Sequence, residues 1–528
     1  MNKIANVALL CVFATQMVYA QKRAPENWFN LDMKKDKVPG VSTERAYNEL
    51  LKGKKSEPIV VAVIDGGTEV LHEDLKDIIW VNPNEIPDNG IDDDNNGYVD
   101  DTNGWSFLGG KVGDVVEETL EITRMARDMK RLFGDKKRDE MSEDEQKQFD
   151  IYSAAVKEFS IKATEASNNL NFYNTFSKTI ERMQKYAGTE NPKPDEVKNF
   201  YSTDPMEAAI AKRIQDIIKK GAKLDDLKKQ LVGAKDHFES QLKYHLNKDF
   251  DPRHLVGDNI DDPTEQFYGC NRVSGPKGEH GTHVAGIIAA IRNNGIGMNG
   301  VSNNARIMIL RTVPDGDERD KDIANSIRYA VDNGAKIINM SFGKNYSPDK
   351  KVVDDAVKYA NLNGVLIVHA AGNDAKNTDE ENNFPRADYL DGTTASNWIE
   401  VGASSWKKGK DIPATFSNYS KRNVDVFAPG VDIYSCIPES QYASFNGTSM
   451  ASPVTAGVAA LIWSYYPNLT ASQVKDIILK SAVPVKGKVI PPGGTKKNMT
   501  SMTELCKTGA IVNAYQAILL AEKMSKNN

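Results

Sequence analysis

Residues 59–64 read Ile-Val-Val-Ala-Val-Ile, and this unbroken apolar run constrains the fold more than any other stretch of the 528-residue chain. A strand with one wet face alternates apolar and polar residues. A strand that is apolar at every position must be covered on both faces, as in a parallel sheet flanked by helices. The pattern returns at Ile307–Leu310, Ile337–Met340 and Val365–Ala370, with helical stretches at Ile323–Val331 and Val352–Tyr359 between the runs. Strand and helix alternating in this way predict an α/β fold on a doubly wound, mostly parallel sheet. Such sheets bind ligands beyond the carboxyl ends of their strands. Asp65 directly follows the first run and Asn373 closely follows the last, so both are expected at that edge.

Residues 106–269 do not share the pattern. They are rich in Lys, Glu, Asp and Gln and carry apolar residues at helical spacing. Ile122, Met125, Ala126, Met129, Leu132 and Phe133 share one predicted helix face. Phe149, Tyr152, Val156 and Phe159 share a second, and Tyr173, Phe176, Ile180 and Met183 a third. Asp204-Pro205-Met206-Glu207 has the form of a helix start, with Asp204 as cap and Pro205 at the first position. Ile210, Ile214, Ile217, Leu224 and Leu227 follow it. Four striped helices predict an α-helical bundle inserted into a discontinuous α/β unit of residues 21–105 and 270–525.

The first twenty residues form a predicted export leader. Lys3 supplies the positive start, Ile4–Met17 is mostly apolar, and Val18-Tyr19-Ala20 suits cleavage before Gln21. A periplasmic or secreted location is expected. Beyond residue 20 no run of 18 apolar residues occurs, so no membrane span is expected. The net charge of −6 argues against a nucleic-acid partner, which would favour a basic face. Cys270, Cys436 and Cys506 remain after the leader, and an odd number allows at most one internal bridge or three buried thiols. No Cys/His spacing fits a zinc site.

Three short motifs carry the chemistry. They are Val63-Ile64-Asp65-Gly66-Gly67, Glu279-His280-Gly281-Thr282-His283-Val284-Ala285-Gly286 and Gly447-Thr448-Ser449-Met450-Ala451-Ser452-Pro453. In their residues and in their Asp, His, Ser order they resemble the subtilisin-like serine peptidases, whose known order this is. The resemblance covers roughly residues 57–105 and 270–525. It implies a catalytic triad of Asp65, His280 and Ser449, acting through an acyl-enzyme. The segment Ala370-Ala371-Gly372-Asn373 is similar to the family's oxyanion segment, with the Asn373 amide as donor. Ser341-Phe342-Gly343 resembles one wall of the substrate cleft, and Thr312–Gly316 is a weaker candidate for the other. Peptide or protein substrates and no organic cofactor are implied. His72, His283 and His369 read as packed, structural histidines. Ser452 and Pro453 are expected in the first turn of the helix that Ser449 opens, and Gly509–Ala514 resembles the family's closing helix.

Two features depart from the family. Gly66 stands where Ser or Thr is usual, which removes a hydroxyl beside Asp65. The insert separates Asp65 from His280 by 215 positions (280 − 65). Only 44 positions separate Gln21 from Asp65 (65 − 21), too few for an inhibitory prodomain, so the insert is expected to replace it in part by covering the cleft or assisting folding. Self-association through the insert is open. So is a second reading, a protease-like scaffold that binds partners through the insert and cuts slowly or not at all.

The stretch Asp88–Asp101 crowds carboxylates that would repel unless neutralised. Asp92, Asp94, Asn96, the Tyr98 carbonyl and Asp100 have the spacing of a calcium loop, although Asn103 replaces the usual Glu at its twelfth position and no helix precedes it. A structural calcium ion is expected there.

Overall fold

The structure is a computed structural model that describes residues 24–526. The export-leader reading falls on residues 1–20, outside the described residues. Strands β1 (Ile59–Asp65), β2 (Gly104–Ser106), β3 (Ala305–Arg311), β4 (Ile337–Met340), β5 (Leu366–Ala370), β6 (Trp398–Ser404) and β7 (Val426–Pro429) lie side by side in the order β2-β3-β1-β4-β5-β6-β7. Every pairing among them is parallel, with Asp65 level with Arg311 and Ile64 with Met340. Ala510–Ile511 extends the sheet parallel to β7, and antiparallel Val483–Pro484 closes that edge.

The unbroken apolar runs serve two cores. Val61 and Val63 pack on one face with Val284, Ile288, Val454 and Val458, while Ala62 and Ile64 pack on the other with Ile323, Ile327, Val353 and Val357. Alternate side chains of one strand thus enter opposite layers. Full burial of each Val, Ile or Leu is worth about 1.5–3 kcal/mol, so a polar residue anywhere in β1 would be costly. This is the doubly wound α/β sheet expected from the sequence.

The helices are α1 (Thr43–Ala46), then α2 (Glu121–Phe133), α3 (Glu143–Ala187), α4 (Pro194–Val197), α5 (Pro205–Lys219) and α6 (Leu224–Ser240). They continue with α7 (Glu279–Ala289), α8 (Asp320–Asp332), α9 (Lys350–Leu362), α10 (Thr448–Tyr465), α11 (Ala471–Ser481) and α12 (Ala514–Ser525). Helices α7, α10, α11 and α12 cover the first face of the sheet, and α8 and α9 the second.

Between Asp65 and His280 the helices divide differently from the apolar stripes. The stripes at 149–159 and 173–183 both lie on α3, a single helix of 45 residues. Nothing between Glu143 and Ala187 is Gly or Pro, so no residue stops it before Gly188, whose φ of 70° ends it. The fourth stripe is split between α5 and α6 at Gly221, with a φ of 92°. Asp204 caps α5 as expected, accepting the Glu207 N–H at 2.8 Å. Phe176, Ile180, Met183, Ile210, Ile214, Leu224, Leu227 and Leu231 form a core separate from the sheet. The flanks of the segment belong elsewhere. Phe107, Leu108, Val115, Val256 and Tyr268 pack into the second sheet core, so the independent helical core is narrower than residues 106–269.

The C-terminal segment also differs from its expected form. Ala510–Ile511 is strand, and the closing helix begins at Ala514 behind Asn513, whose side chain accepts the Gln516 N–H at 2.9 Å. Cys270, Cys436 and Cys506 are all unbridged. Among the described residues no helix is long and apolar enough to cross a membrane.

Candidate active site

Asp65 ends β1 and is 3% exposed. Its carbonyl accepts the Thr312 and Val313 N–H groups, which fixes the strand end against the chain leaving β3. Gly66 now has a local explanation. A Cβ at that position would lie 3.1 Å from the Val313 carbonyl oxygen and 3.4 Å from that of Lys277, so the backbone packs too closely for a comfortable side chain. The Gly66 N–H donates to Asp65 Oδ1 at 2.8 Å, a backbone donor beside the carboxylate.

His280 lies in the first turn of α7, with Nδ1 2.9 Å from both Asp65 carboxylate oxygens. Its helix reaches Asp65 because residue 281 is glycine: a Cβ there would sit 2.2 Å from the Gly67 carbonyl oxygen. Burial works to lower the His280 pKa. The Asp65 charge and hydrogen bond, with Glu279 behind them, outweigh it, and the imidazole titrates above the ordinary histidine value.

The neighbouring histidines are occupied. His283 stacks on Phe445 at 4.3 Å, its Nε2 lies 3.0 Å from the Ile433 carbonyl, and burial, aided by repulsion from His280, takes its pKa down to about 3. His369 sits between Glu400 and the Phe342 carbonyl, and His72 contacts the Gln441 carbonyl.

Ser449 lies in the first turn of α10, where its own N–H precedes the intrahelical ladder. The helix starts earlier than expected, at Thr448, so Pro453 falls inside it, beyond the first turn. Proline has no N–H to give the carbonyl four residues back. That carbonyl belongs to Ser449, and the Ser341 hydroxyl donates to it at 2.9 Å. Ser341 is thus tied to Ser449 twice, because Ser449 Oγ donates to the Ser341 carbonyl at 3.1 Å.

Asn373 follows β5 and turns its Oδ1 toward Thr448, accepting the backbone N–H at 2.8 Å and the hydroxyl at 3.0 Å. The amide NH2 is the end left to the cavity, which His280, Asn373, Ser449, Ser444, Phe445, Asn446 and Met450 line together. The arrangement collects a hydroxyl, an imidazole braced by a carboxylate, and an amide donor around one space at the carboxyl edge of the sheet.

Of the residues expected to form one wall of a cleft, Ser341 is buried, Phe342 half-buried and Gly343 exposed. On the opposite side, Asp315 is paired along one edge: its N–H donates to the Val116 carbonyl and its carbonyl accepts the Glu118 N–H, both at 2.8 Å. The insert also joins these two segments, which the sequence motifs did not reveal. Glu121 Oε2 accepts from Lys344 Nζ at 2.7 Å and from Arg124 at 2.6 Å, while the Glu121 N–H donates to Asp317 at 2.8 Å. Lys344 follows Gly343 and Asp317 follows Gly316, so one helical turn bridges both strips. Only charge reversal between distant segments hinted at this, and charge alone names no partner.

In the acidic loop, Asp92 and Asp94 of the expected set come together with Glu85. Ligand oxygens of Glu85, Asp92 and Asp94 lie within 4.8 Å of one another. Glu85 is 7% exposed, its Oε2 makes no hydrogen bond, and burial followed by the Asp101 and Asp94 charges raises its pKa. A buried, unpaired carboxylate oxygen beside two others suits a hard cation such as calcium. Asn96 and Asp100 are engaged otherwise. The Asn96 amide donates to Asp94 and Asp101, and Asp100 accepts the Asn89 and Gly90 N–H groups. Glu85 lies outside the repeating motif, and its contribution required the chain to fold back.

Comparison with known proteins gives the family of the chain. Residues 56–509 match the Subtilase family. A thermophilic serine proteinase of Bacillus sp. (strain AK1) is 42% identical over 209 residues, 39% of this chain and 48% of that protein. The cell wall-associated protease of Bacillus subtilis (strain 168) is 36% identical over 218 residues, 41% of this chain and 22% of that protein. Thermitase of Thermoactinomyces vulgaris is 41% identical over 209 residues, 39% of this chain and 68% of thermitase. The chain therefore spans less than half the length of the first two relatives.

Proposed function

Because this chain belongs to the subtilase family, we propose that it is an exported serine endopeptidase, periplasmic or secreted, acting through Asp65, His280 and Ser449. The observation that carries the reading is the 2.9 Å bracing of His280 Nδ1 by Asp65 beside a cavity shared with Ser449 and Asn373. Rotation of the Ser449 hydroxyl away from the Ser341 carbonyl turns it toward His280. The imidazole takes its proton as Oγ attacks the peptide carbonyl, and Asp65 stabilises the imidazolium. The tetrahedral oxyanion meets the Ser449 N–H and the Asn373 amide. His280 then protonates the leaving amine, and water, deprotonated by His280, releases the acyl group from Ser449.

An extended substrate would lie along Ser341–Gly343 and the open edge of Thr312–Gly316, since neighbouring residues of a strand present their N–H and C=O groups to opposite sides. The helical insert, held to both strips by Glu121, would set the far end of that cleft. Glu85, Asp92 and Asp94 would hold a structural calcium ion, which supplies charge neutralisation to the loop before β2.

The test is labelling by a serine-reactive fluorophosphonate together with cleavage of an unstructured protein. Labelling of the folded chain that disappears in Ser449→Ala is expected. A folded chain that neither labels nor cleaves would leave the binding-scaffold reading instead.

A further inference from the structure

We propose that Glu117, His245 and Asp315 form a site for a divalent transition metal of the zinc class, clamping the end of the inserted helices to the segment that follows β3. His245 ends the Gln241–His245 turn that continues α6, Glu117 precedes α2, and Asp315 follows β3. His245 Nε2 stands 3.5 Å from Glu117 Oε2 and 3.4 Å from Asp315 Oδ1. All three ligand atoms fall within 4.8 Å of one another.

The two His245 separations are long for hydrogen bonds. They exceed the roughly 2.7–3.2 Å of an N–H···O bond, and neither His245 Nε2 nor Glu117 Oε2 makes a hydrogen bond although both are buried. An N–H shared between oxygens on two different segments would serve each only weakly at these lengths. Ligands about 2.0–2.1 Å from a tetrahedral zinc ion, in contrast, stand about 3.3–3.4 Å apart along each edge of the tetrahedron. The gaps match that edge.

The supporting geometry is already in place. The His245 carbonyl accepts the Leu120 N–H at 2.9 Å and the Thr123 hydroxyl at 2.7 Å, which holds its backbone to the start of α2. Asp315 is fixed to Val116 and Glu118 by the strand pairing on either side of Glu117. Lys277 Nζ takes Glu117 Oε1 at 2.8 Å and Asp315 Oδ2 at 2.5 Å, so each carboxylate keeps its other oxygen for His245. Lys277 also offsets one of the two negative charges. The side chains of His245 and Glu117 are 13% and 18% exposed and that of Asp315 43%, which leaves the Asp315 side open for a water as fourth ligand. One imidazole with two carboxylates favours zinc or cobalt over calcium, which takes oxygen ligands. None of the three residues lines the Ser449 cavity, and Asp315 faces the insert from the edge of Thr312–Gly316 that is paired to Val116 and Glu118, so the proposal does not depend on peptidase activity.

The test titrates the full mature chain, as Ser449→Ala to prevent self-digestion, with zinc chloride by calorimetry in calcium-saturated buffer. Cobalt chloride, followed by visible absorption, reports the coordination number. One equivalent of zinc and the intense bands of tetrahedral cobalt are expected. His245→Ala and Glu117→Gln should each weaken zinc binding by at least about tenfold, the scale on which even outer-shell partners act. Glu85→Gln should leave it unchanged. Absence of one-to-one binding, retention of full affinity in either variant shown folded by circular dichroism, or loss of binding in Glu85→Gln would overturn the proposal.

Discussion

Lys344 is the residue whose removal most directly tests how the insert is held. It is 4% exposed overall and its ammonium contacts Glu121 at 2.7 Å, Asp320 at 2.8 Å and the Glu318 carbonyl at 2.8 Å. Methionine keeps most of the side-chain volume and removes the charge. In Lys344→Met, Glu121 retains Arg124, but Asp320 loses its Lys344 contact and the Glu318 carbonyl loses a donor. Breaking one side of a buried ion pair costs about 3–5 kcal/mol, because the remaining charge stays out of water. Glu121→Gln should cost about 3–5 kcal/mol as well, because Lys344 keeps Asp320 but the buried Arg124 loses its carboxylate partner. The double variant should cost less than the sum of the two by about 1–3 kcal/mol, the coupling expected of partners in direct contact. Urea unfolding of these variants in the Ser449→Ala background measures all three. A Lys344→Met loss below about 1 kcal/mol, or additivity within about 0.5 kcal/mol, would refute the view that one buried cluster fastens the insert to the cleft.

Asp65→Asn should reduce kcat/KM by about 10⁴-fold. In the proposed mechanism neutral His280 is the base, and Asp65 raises its pKa, so the variant's remaining activity should rise with pH at a lower pH than the parent's, as read from the pH–rate profile. Burial pushes Glu318 up to about 7, against Lys344 and with help from Asp317. A carboxyl whose folded pKa lies above its unfolded value of about 4.3 favours the fold below that value and loses the benefit as pH rises through 7. Glu318→Gln should therefore flatten stability between those limits, and an unchanged pH dependence of unfolding would contradict it. Added calcium should raise the parent's thermal midpoint, whereas that of Glu85→Gln should respond little; equal responses would remove Glu85 from the site.

Side chains that act through local pattern were legible in advance. β1 could be read because every position of Ile59–Ile64 is apolar, and a sheet covered on both sides is the only place for such a run. Asp65, His280, Asn373 and Ser449 could be read because each lies in a short motif whose residues are neighbours in the chain. Helix boundaries were less accessible. The two stripes of α3 looked like two helices because periodicity reports which face is apolar, while the missing Gly or Pro, which lets the helix continue, is a weaker signal. Pro453 was placed a turn too early for a similar reason: the helix start depends on Gly447 and the packing of Thr448 against Asn373.

Local chemistry thus specified the sheet, the motif residues around the cavity and the acidic loop. Through-space pairing specified the rest. Glu121 meets Lys344 across 223 positions, His245 meets Asp315 across 70 (315 − 245), and Glu85 joins Asp92 and Asp94 only when the loop folds back. Ionic and metal-ligand contacts depend on distance and burial and on no sequence period. No reading of neighbours along the chain could therefore name these partners before the chain brought them together.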